Sequence, residues 1–298
     1  MYETNKNDKI RAVLAGLQVT TGRRADDDHF ERSMRELEEL AHACDVEVVA
    51  TVTQRMEAPV QATYVGPGKV EEIKATMYMF EATLVIFDQS LSPAQIRNLG
   101  RMIDGEVIDR TDLILRIFSE RARTREARLQ VEYARLEYML PRLVGMRDNL
   151  SRQGGNAGFR SSRGAGETKL ELDRRKILNR QAVLRRELKE VEKERGTQSV
   201  RRRQADALRV GLVGYTNAGK STLMNQLLSM STSKGNKEKE VFVKDMLFAT
   251  LDTTIRRIEI YPHKPFLLSD TVGFIDNLPT SLVKAFRSTL SEAAADYR

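Results

Sequence analysis

Gly214-Tyr215-Thr216-Asn217-Ala218-Gly219-Lys220-Ser221 follows the apolar run Leu208-Arg209-Val210-Gly211-Leu212-Val213 and precedes a stretch in which Leu223, Met224, Leu227 and Leu228 recur at helical spacing. The octapeptide fits G-x-x-x-x-G-K-[ST] in a strand–loop–helix setting, which predicts a buried strand, a phosphate-binding loop and a helix. Glycines at 214 and 219 allow a tight turn that aims backbone N–H groups at phosphate oxygens, and the new helix adds its positive dipole end. The whole loop, Gly214 to Ser221 with Tyr215, Thr216, Asn217 and Ala218, is therefore expected to cradle a nucleotide. Lys220 is expected on the β and γ phosphates, Ser221 on Mg²⁺ and Thr222 near the α phosphate.

A nucleotide switch needs two more parts downstream: a threonine that meets the metal and a D-x-x-G that senses the γ phosphate. Asp270-Thr271-Val272-Gly273 ends the apolar run Phe266-Leu267-Leu268, so Asp270 is expected at a strand tip near the metal and the Gly273 N–H near the γ phosphate. Phe248-Ala249-Thr250-Leu251-Asp252-Thr253-Thr254 offers three threonines, of which Thr250 is the choice. The predicted magnesium set is Ser221, Thr250 and Asp270, and the predicted catalytic set is Lys220, Thr250 and Gly273. Phe274 follows Gly273 where many regulatory GTPases carry a water-orienting glutamine, so slow intrinsic hydrolysis is expected.

Upstream, short apolar runs alternate with amphipathic helices: Arg11 to Val19, Asp28 to Cys44, Val46 to Val52, a helix after Gly68, Thr83 to Asp88, Pro93 to Met102 and Glu106 to Ile108. That alternation predicts an N-terminal parallel α/β domain over residues 1–110. Gly66-Pro67-Gly68-Lys69 lacks the second glycine and lysine spacing and reads as a tight turn at a strand end rather than a second nucleotide site, although crevices at the carboxyl ends of such strands can still take a ligand, which leaves a second site open. Residues 111–206 change character. Leu113, Ile117, Leu129, Tyr133, Leu136, Leu140 and Leu143 predict one long helix from Thr111 to Leu150, kinked at Pro141, and a second runs from Glu167 to Gln204, the pair forming an antiparallel coiled-coil hairpin. Residues 207–298 form the phosphate-loop domain.

The hairpin tip, residues 151–166, holds five glycines, three arginines, one aromatic and no acid. Such a loop cannot pack a core but can fit a crowded anionic surface, with Arg152, Asn156, Arg160 and Arg163 on phosphates and Phe159 stacked on a base. Charge agrees. The 298-residue chain carries +7, yet residues 110–209 alone hold 26 lysines and arginines against 14 acids, while the rest holds 23 against 28. Without an apolar run long enough to enter a membrane, a polyanionic partner means nucleic acid. One cysteine, Cys44, cannot form an internal disulfide and reads as a small buried thiol. A cytoplasmic monomer without membrane insertion is expected.

GYTNAGKS, FATLDTTIRRI, DTVGF with Asp276-Asn277-Leu278-Pro279, and Gly164-Ala165-Gly166-Glu167-Thr168 of the tip together resemble the HflX family of bacterial GTPases, as do VGPGKVEEI and FDQSLSPAQIRNL nearer the start. The resemblance implies GTP and Mg²⁺ as ligands and the large ribosomal subunit as partner, with the tip reaching 23S rRNA toward the peptidyl-transferase centre. It further implies splitting of stalled or stressed 70S ribosomes and, in some members, protection against antibiotics acting there. In some related GTPases the residue equivalent to Asn217 helps to bind K⁺ in place of an arginine finger, so K⁺ is a further candidate.

The family's guanine-reading N-K-x-D is absent after Gly273; Asn5-Lys6-Asn7-Asp8 matches it but follows no buried strand, so an incomplete G domain, covering its first half, is expected at Arg298. Two other readings remain: a nucleotide-regulated RNA-binding or subunit-biogenesis factor that splits nothing, and an ATP-dependent helicase working through the first domain, for which only the turn at Gly66 speaks.

Overall fold

The computed structural model describes residues 9–20, 25–143, 163–203, 208–231, 247–248, 254–260, 262, 264–271 and 273–275. The chain divides into two compact units, Met1–Ile117 with Tyr138–Ile177, and Phe118–Glu137 with Leu178–Arg298.

The first unit is a four-stranded parallel sheet in the order β2-β1-β3-β4. Its strands are β1 (Arg11–Val19), β2 (Glu47–Met56), β3 (Leu84–Phe87) and β4 (Glu106–Asp109), connected by α1 (Ala25–Ala43), α2 (Pro67–Met79) and α3 (Pro93–Met102). β1 pairs with β2 from Arg11↔Glu47 to Val19↔Met56 and with β3 from Ala12↔Leu84 to Ala15↔Phe87. Flanked by strands on both sides, it is buried without interruption from Ala12 to Gln18, which is why its sequence shows a continuous apolar run rather than alternation. β2 extends past Val52 to Met56 because Gln18 and Val19 still offer it ladder partners.

Val13, Ala15, Leu17, Val85 and Phe87 meet Val70, Ile73 and Met77 of α2 and Leu99 of α3 in one core. α3 starts where Ser92 and Gln95 form a reciprocal capping box with Pro93 in the first turn. The Gly66 turn is a helix start: Gly66 N-caps α2, well past the end of β2, and its N–H donates to Gln54 Oε1 at 2.8 Å. Cys44 is half-buried rather than buried.

At the carboxyl ends of β3 and β4 lies a buried ionic network. The Arg110 guanidinium, 2% exposed, donates from Nη2 to Asp88 Oδ1 at 2.8 Å and to the Ser33 carbonyl at 2.6 Å, and from Nη1 to Glu36 Oε2 at 2.7 Å. Asp109, fully buried, accepts from the backbone N–H of Leu91 and Asp112 and from the Tyr138 hydroxyl at 2.9 Å. Burial, reinforced by the negative charge of Asp109, pushes the Tyr138 phenol far above its ordinary value, so it remains a donor.

The single helix expected from Thr111 to Leu150 is instead two, α4 (Arg110–Arg121) and α5 (Arg125–Met139), followed by a 3-10 turn at Leu140–Arg142 that contains Pro141. The break has a local cause: Thr124 Oγ1 accepts from the Ala127 N–H at 3.1 Å and caps a fresh start. Helix α6 (Arg163–Arg203) begins earlier than expected, so Arg163 to Gly166, assigned to the tip, have helical backbone. Arg180 grips Glu132 of α5 with two bonds of 2.7 and 2.8 Å, and Arg185 donates to the Tyr133 hydroxyl at 2.7 Å.

The second unit also holds a three-stranded sheet in the order β5-β7-β6, made of β5 (Leu208–Leu212), β6 (Thr254–Ile258) and β7 (Phe266–Asp270). β5 and β7 are parallel, β6 and β7 antiparallel. Helix α7 (Lys220–Met230) covers one face, where Met224 and Leu228 pack with Ile258 and Leu268. β5 is less buried than its sequence suggests, with Leu208 68% exposed, because among the described strands it has a neighbour on one side only. Among the described residues no helix is long and apolar enough to cross a membrane.

Replacing Arg110 with Met should strand Asp88 and Glu36 without their cation and destabilise the first unit by about 3–5 kcal/mol. Urea unfolding of wild type and variant measures this; a loss below about 1 kcal/mol would mean that the network is incidental.

Candidate nucleotide-binding site

β5 ends at Leu212, the loop turns through residues 213–219, and α7 opens at Lys220 with Gly219 as its N-cap. Two positions of the loop have left-handed backbone: Gly219 at φ 79° and Asn217 at φ 59°. Glycine suits the first, and asparagine is among the few side-chain-bearing residues that adopt the second readily. Gly214 does not have positive φ, and a Cβ there would meet only Ala218 and Lys220 atoms at 3.9 Å, so the tight-turn role expected of it falls to Asn217 instead.

Lys220 folds back over the loop. Its ammonium donates to the carbonyls of Gly214 and Tyr215 at 3.1 and 2.6 Å. Burial lowers its pKa, an effect that the nearby Asp270 carboxylate opposes. Ser221, in the first turn of α7, donates from Oγ to Asp270 Oδ2 at 2.6 Å. Asp270 is the last residue of β7 and is fully buried, yet its Oδ1 has no hydrogen-bond partner. A buried carboxylate oxygen left unsatisfied is costly, and beside a serine hydroxyl it forms the hard-oxygen donor set that Mg²⁺ prefers. Thr222 follows on the exposed side of α7.

Gly273 lies against the loop so closely that a Cβ there would stand 2.6 Å from both the N and Cα of Thr216 and 2.9 Å from Lys220 Nζ. The adjoining backbone is locked: the Thr216 N–H donates to the Phe274 carbonyl at 2.8 Å, and the Phe274 N–H donates to the Gly214 carbonyl at 3.0 Å. The structure thus brings Lys220, Ser221, Asp270 and Gly273 together around one loop. Thr250, Thr253, Arg152, Asn156, Phe159 and Arg160 lie outside the described residues, as do Asn5 to Asp8 and the side chains of Thr254 and Arg163.

Two participants escaped the sequence reading. Thr271 donates to the Leu212 carbonyl at 2.7 Å and ties β7 to the start of the loop, with nothing but its place inside D-x-x-G to mark it. β6 was hidden in the polar stretch after the loop helix, although Ile255, Ile258 and Ile260 in Thr254-Ile255-Arg256-Arg257-Ile258-Glu259-Ile260 carry a strand signal.

Three family profiles match in succession: "GTP-binding GTPase N-terminal" over residues 31–119, "GTP-binding GTPase Middle Region" over 121–202 and "50S ribosome-binding GTPase" over 209–296. The chain is 42% identical over 292 residues to the GTPase HflX of Spirochaeta thermophila, covering 98% of this chain and 67% of that protein. The chain belongs to the HflX GTPase family. Its identity to the relative from Alkalihalophilus pseudofirmus is 46%, over 98% of this chain and 65% of that one, and to the Escherichia coli K12 relative 44%, over 95% and 62%. It therefore spans slightly less than two thirds of the length of several HflX relatives. A solved structure of SsGBP in complex with GDP superposes with a TM-score of 0.51 at 24% identity, covering 95% of this chain and 68% of that one, a likeness of fold.

Changing Gly273 to Ala should push the D-x-x-G segment off the loop and open the Thr216–Phe274 bond. Amide hydrogen exchange should then release Thr216 at least about tenfold faster; unchanged protection would show that the segment does not depend on a bare Cα.

Proposed function

We propose that this chain is the nucleotide-driven part of a ribosome-associated GTPase, with GTP stabilising the conformation that splits stalled 70S ribosomes and hydrolysis permitting release. The observation that carries the enzymatic half is the buried Asp270 carboxylate, one oxygen on Ser221 and the other unspent, beside the Lys220 ammonium. Ser221, Asp270 and Thr250 would hold Mg²⁺, which neutralises charge on the β and γ phosphates when bound. Lys220 binds those phosphates, the loop amides orient them, and the Gly273 N–H registers the third. Phe274 cannot align water, so intrinsic turnover is slow and a partner completes the site. Asn217 would help to hold K⁺ when that partner is engaged.

The functional division follows residues 1–110, 111–206 and 207–298. The large subunit is the partner, a reading that the match of residues 209–296 to the 50S ribosome-binding GTPase family and the basic surplus of residues 110–209 both favour. Arg152, Asn156, Phe159, Arg160 and Arg163 touch 23S rRNA near the peptidyl-transferase centre, a position from which the protein would also counter antibiotics acting there. The setting is the cytoplasm.

GTP hydrolysis measured with and without large subunits, in K⁺ and in Na⁺, tests the enzymatic half. Stimulation by subunits in K⁺ is expected. Lys220→Ala, which removes charge-assisted bonds of about 1.5–3 kcal/mol each, should weaken GTP binding at least about a hundredfold. Equal rates in both salts would dismiss the K⁺ assignment, and intact binding by Lys220→Ala would dismiss the site.

Reversing Arg152, Arg160 and Arg163 to glutamate should weaken large-subunit binding at least about tenfold. Sedimentation of ribosomes with GTP, a non-hydrolysable analogue or GDP then separates the readings. Splitting that is indifferent to nucleotide would favour an RNA-binding or biogenesis factor.

A further inference from the structure

The two groups assigned to the third phosphate, the Lys220 ammonium and the backbone at Gly273, stand directly against one another. A Cβ on Gly273 would lie 2.9 Å from Lys220 Nζ, so one C–C bond of about 1.5 Å puts the Gly273 Cα within about 4.4 Å of the ammonium. A phosphate oxygen bonded to that ammonium would by itself stand about 2.8 Å away, with the phosphorus and its other oxygens beyond it. No phosphoryl group fits between them. The ammonium is meanwhile turned to the Gly214 and Tyr215 carbonyls.

Main-chain bonds hold Gly273 in this place. The Thr216 N–H donates to the Phe274 carbonyl at 2.8 Å and the Phe274 N–H to the Gly214 carbonyl at 3.0 Å, a parallel bridge between Tyr215 and Phe274. The D-x-x-G segment is thus paired with the phosphate loop itself, and the pairing occupies one of the loop N–H groups. The Phe274 side chain contributes little, since the residue is 43% exposed, whereas Ile275 just beyond it is buried.

A diphosphate ends short of this contact, and a triphosphate has to break it. We propose that the Gly273–Phe274 backbone is a specificity-determining element: paired with the loop, it covers the seat of the γ phosphate and makes the chain favour GDP, and a triphosphate binds only by unpairing it. Two backbone bonds broken without replacement weaken affinity roughly tenfold to a hundredfold. Whatever holds Phe274 away from the loop raises affinity for the triphosphate, and the triphosphate raises affinity for that holder by the same factor. The inference rests on the assignment of the loop to GTP under the proposed function. Were the bridge only the tail of the β5–β7 ladder, its stability would not depend on which nucleotide is bound.

Site-resolved amide exchange on the full chain, with no nucleotide, with GDP, and with a non-hydrolysable GTP analogue and Mg²⁺, reads the bridge directly. The analogue should release the Phe274 amide at least about tenfold faster, and GDP should leave it within about threefold. Phe274→Pro deletes one of the two donors and should raise the ratio of analogue affinity to GDP affinity about fivefold or more. Phe274→Ala keeps the main chain and should leave that ratio within about twofold. A bound analogue with the Phe274 amide still protected would overturn the proposal, as would equal release by GDP, or a ratio for Phe274→Pro no higher than that for Phe274→Ala. If Phe274→Pro does not fold, the exchange comparison on the unaltered chain decides alone. Failure of the unaltered chain to bind either nucleotide would instead bring down the functional reading, and this inference with it.

Discussion

A fully buried carboxylate with one oxygen engaged and the other idle is the constraint around which the second unit is arranged. Asp270 reaches that position because β7 runs parallel to β5 and ends level with the loop, and because Thr271 fastens the strand end to the Leu212 carbonyl. Ser221 reaches it from the first turn of α7. An uncompensated buried charge is expensive, and the protein meets only part of that cost itself. The remainder suits a hard cation carrying phosphate, so the same arrangement that burdens the isolated fold favours the loaded one.

The first unit treats buried charge in the opposite way. Around Arg110, Asp88, Glu36 and Ser33, donors and acceptors find partners in one another, and Asp109 spends its acceptors on two backbone N–H groups, the Tyr138 hydroxyl and, at 3.4 Å, Arg142 Nη2, although Arg142 Nε is buried without a partner. Both clusters sit at carboxyl ends of parallel strands, where ligands commonly bind in open α/β sheets. One is closed upon itself and reads as architecture. The other leaves an oxygen unspent and reads as a site. Location does not separate them; the buried carboxylate oxygens do, all engaged in Asp88 and Asp109 and one left over in Asp270.

Much of this was legible before any coordinates. Short apolar runs and helical periodicity locate the strands and helices of residues 11–109 closely, although β2 continues past Val52 to Met56, and α3 is bounded by signals such as Ser92-Pro93 and Gln95. The loop octapeptide and D-x-x-G mark the candidate site because their chemistry is carried by residue type at fixed spacing. Three things were not legible. Helical periodicity runs through 110–140 without showing the interruption at Thr124, because a threonine cap and a threonine on a helix surface look alike in sequence. β6 was lost among polar neighbours. The burial of β5 was overestimated because an apolar run reports what a strand can bury and not how many neighbours it has.

Asn217 shows how backbone geometry limits what selection can try. Its φ of 59° admits glycine, asparagine and aspartate with little strain and penalises branched or bulky side chains, whatever ligand the loop receives. Of those three, glycine offers no side-chain oxygen and aspartate brings a negative charge beside phosphates. A neutral carbonyl oxygen at this point in the loop is thus available from essentially one amino acid, so any lineage that abandons asparagine here must either give up that oxygen or accept an added anion.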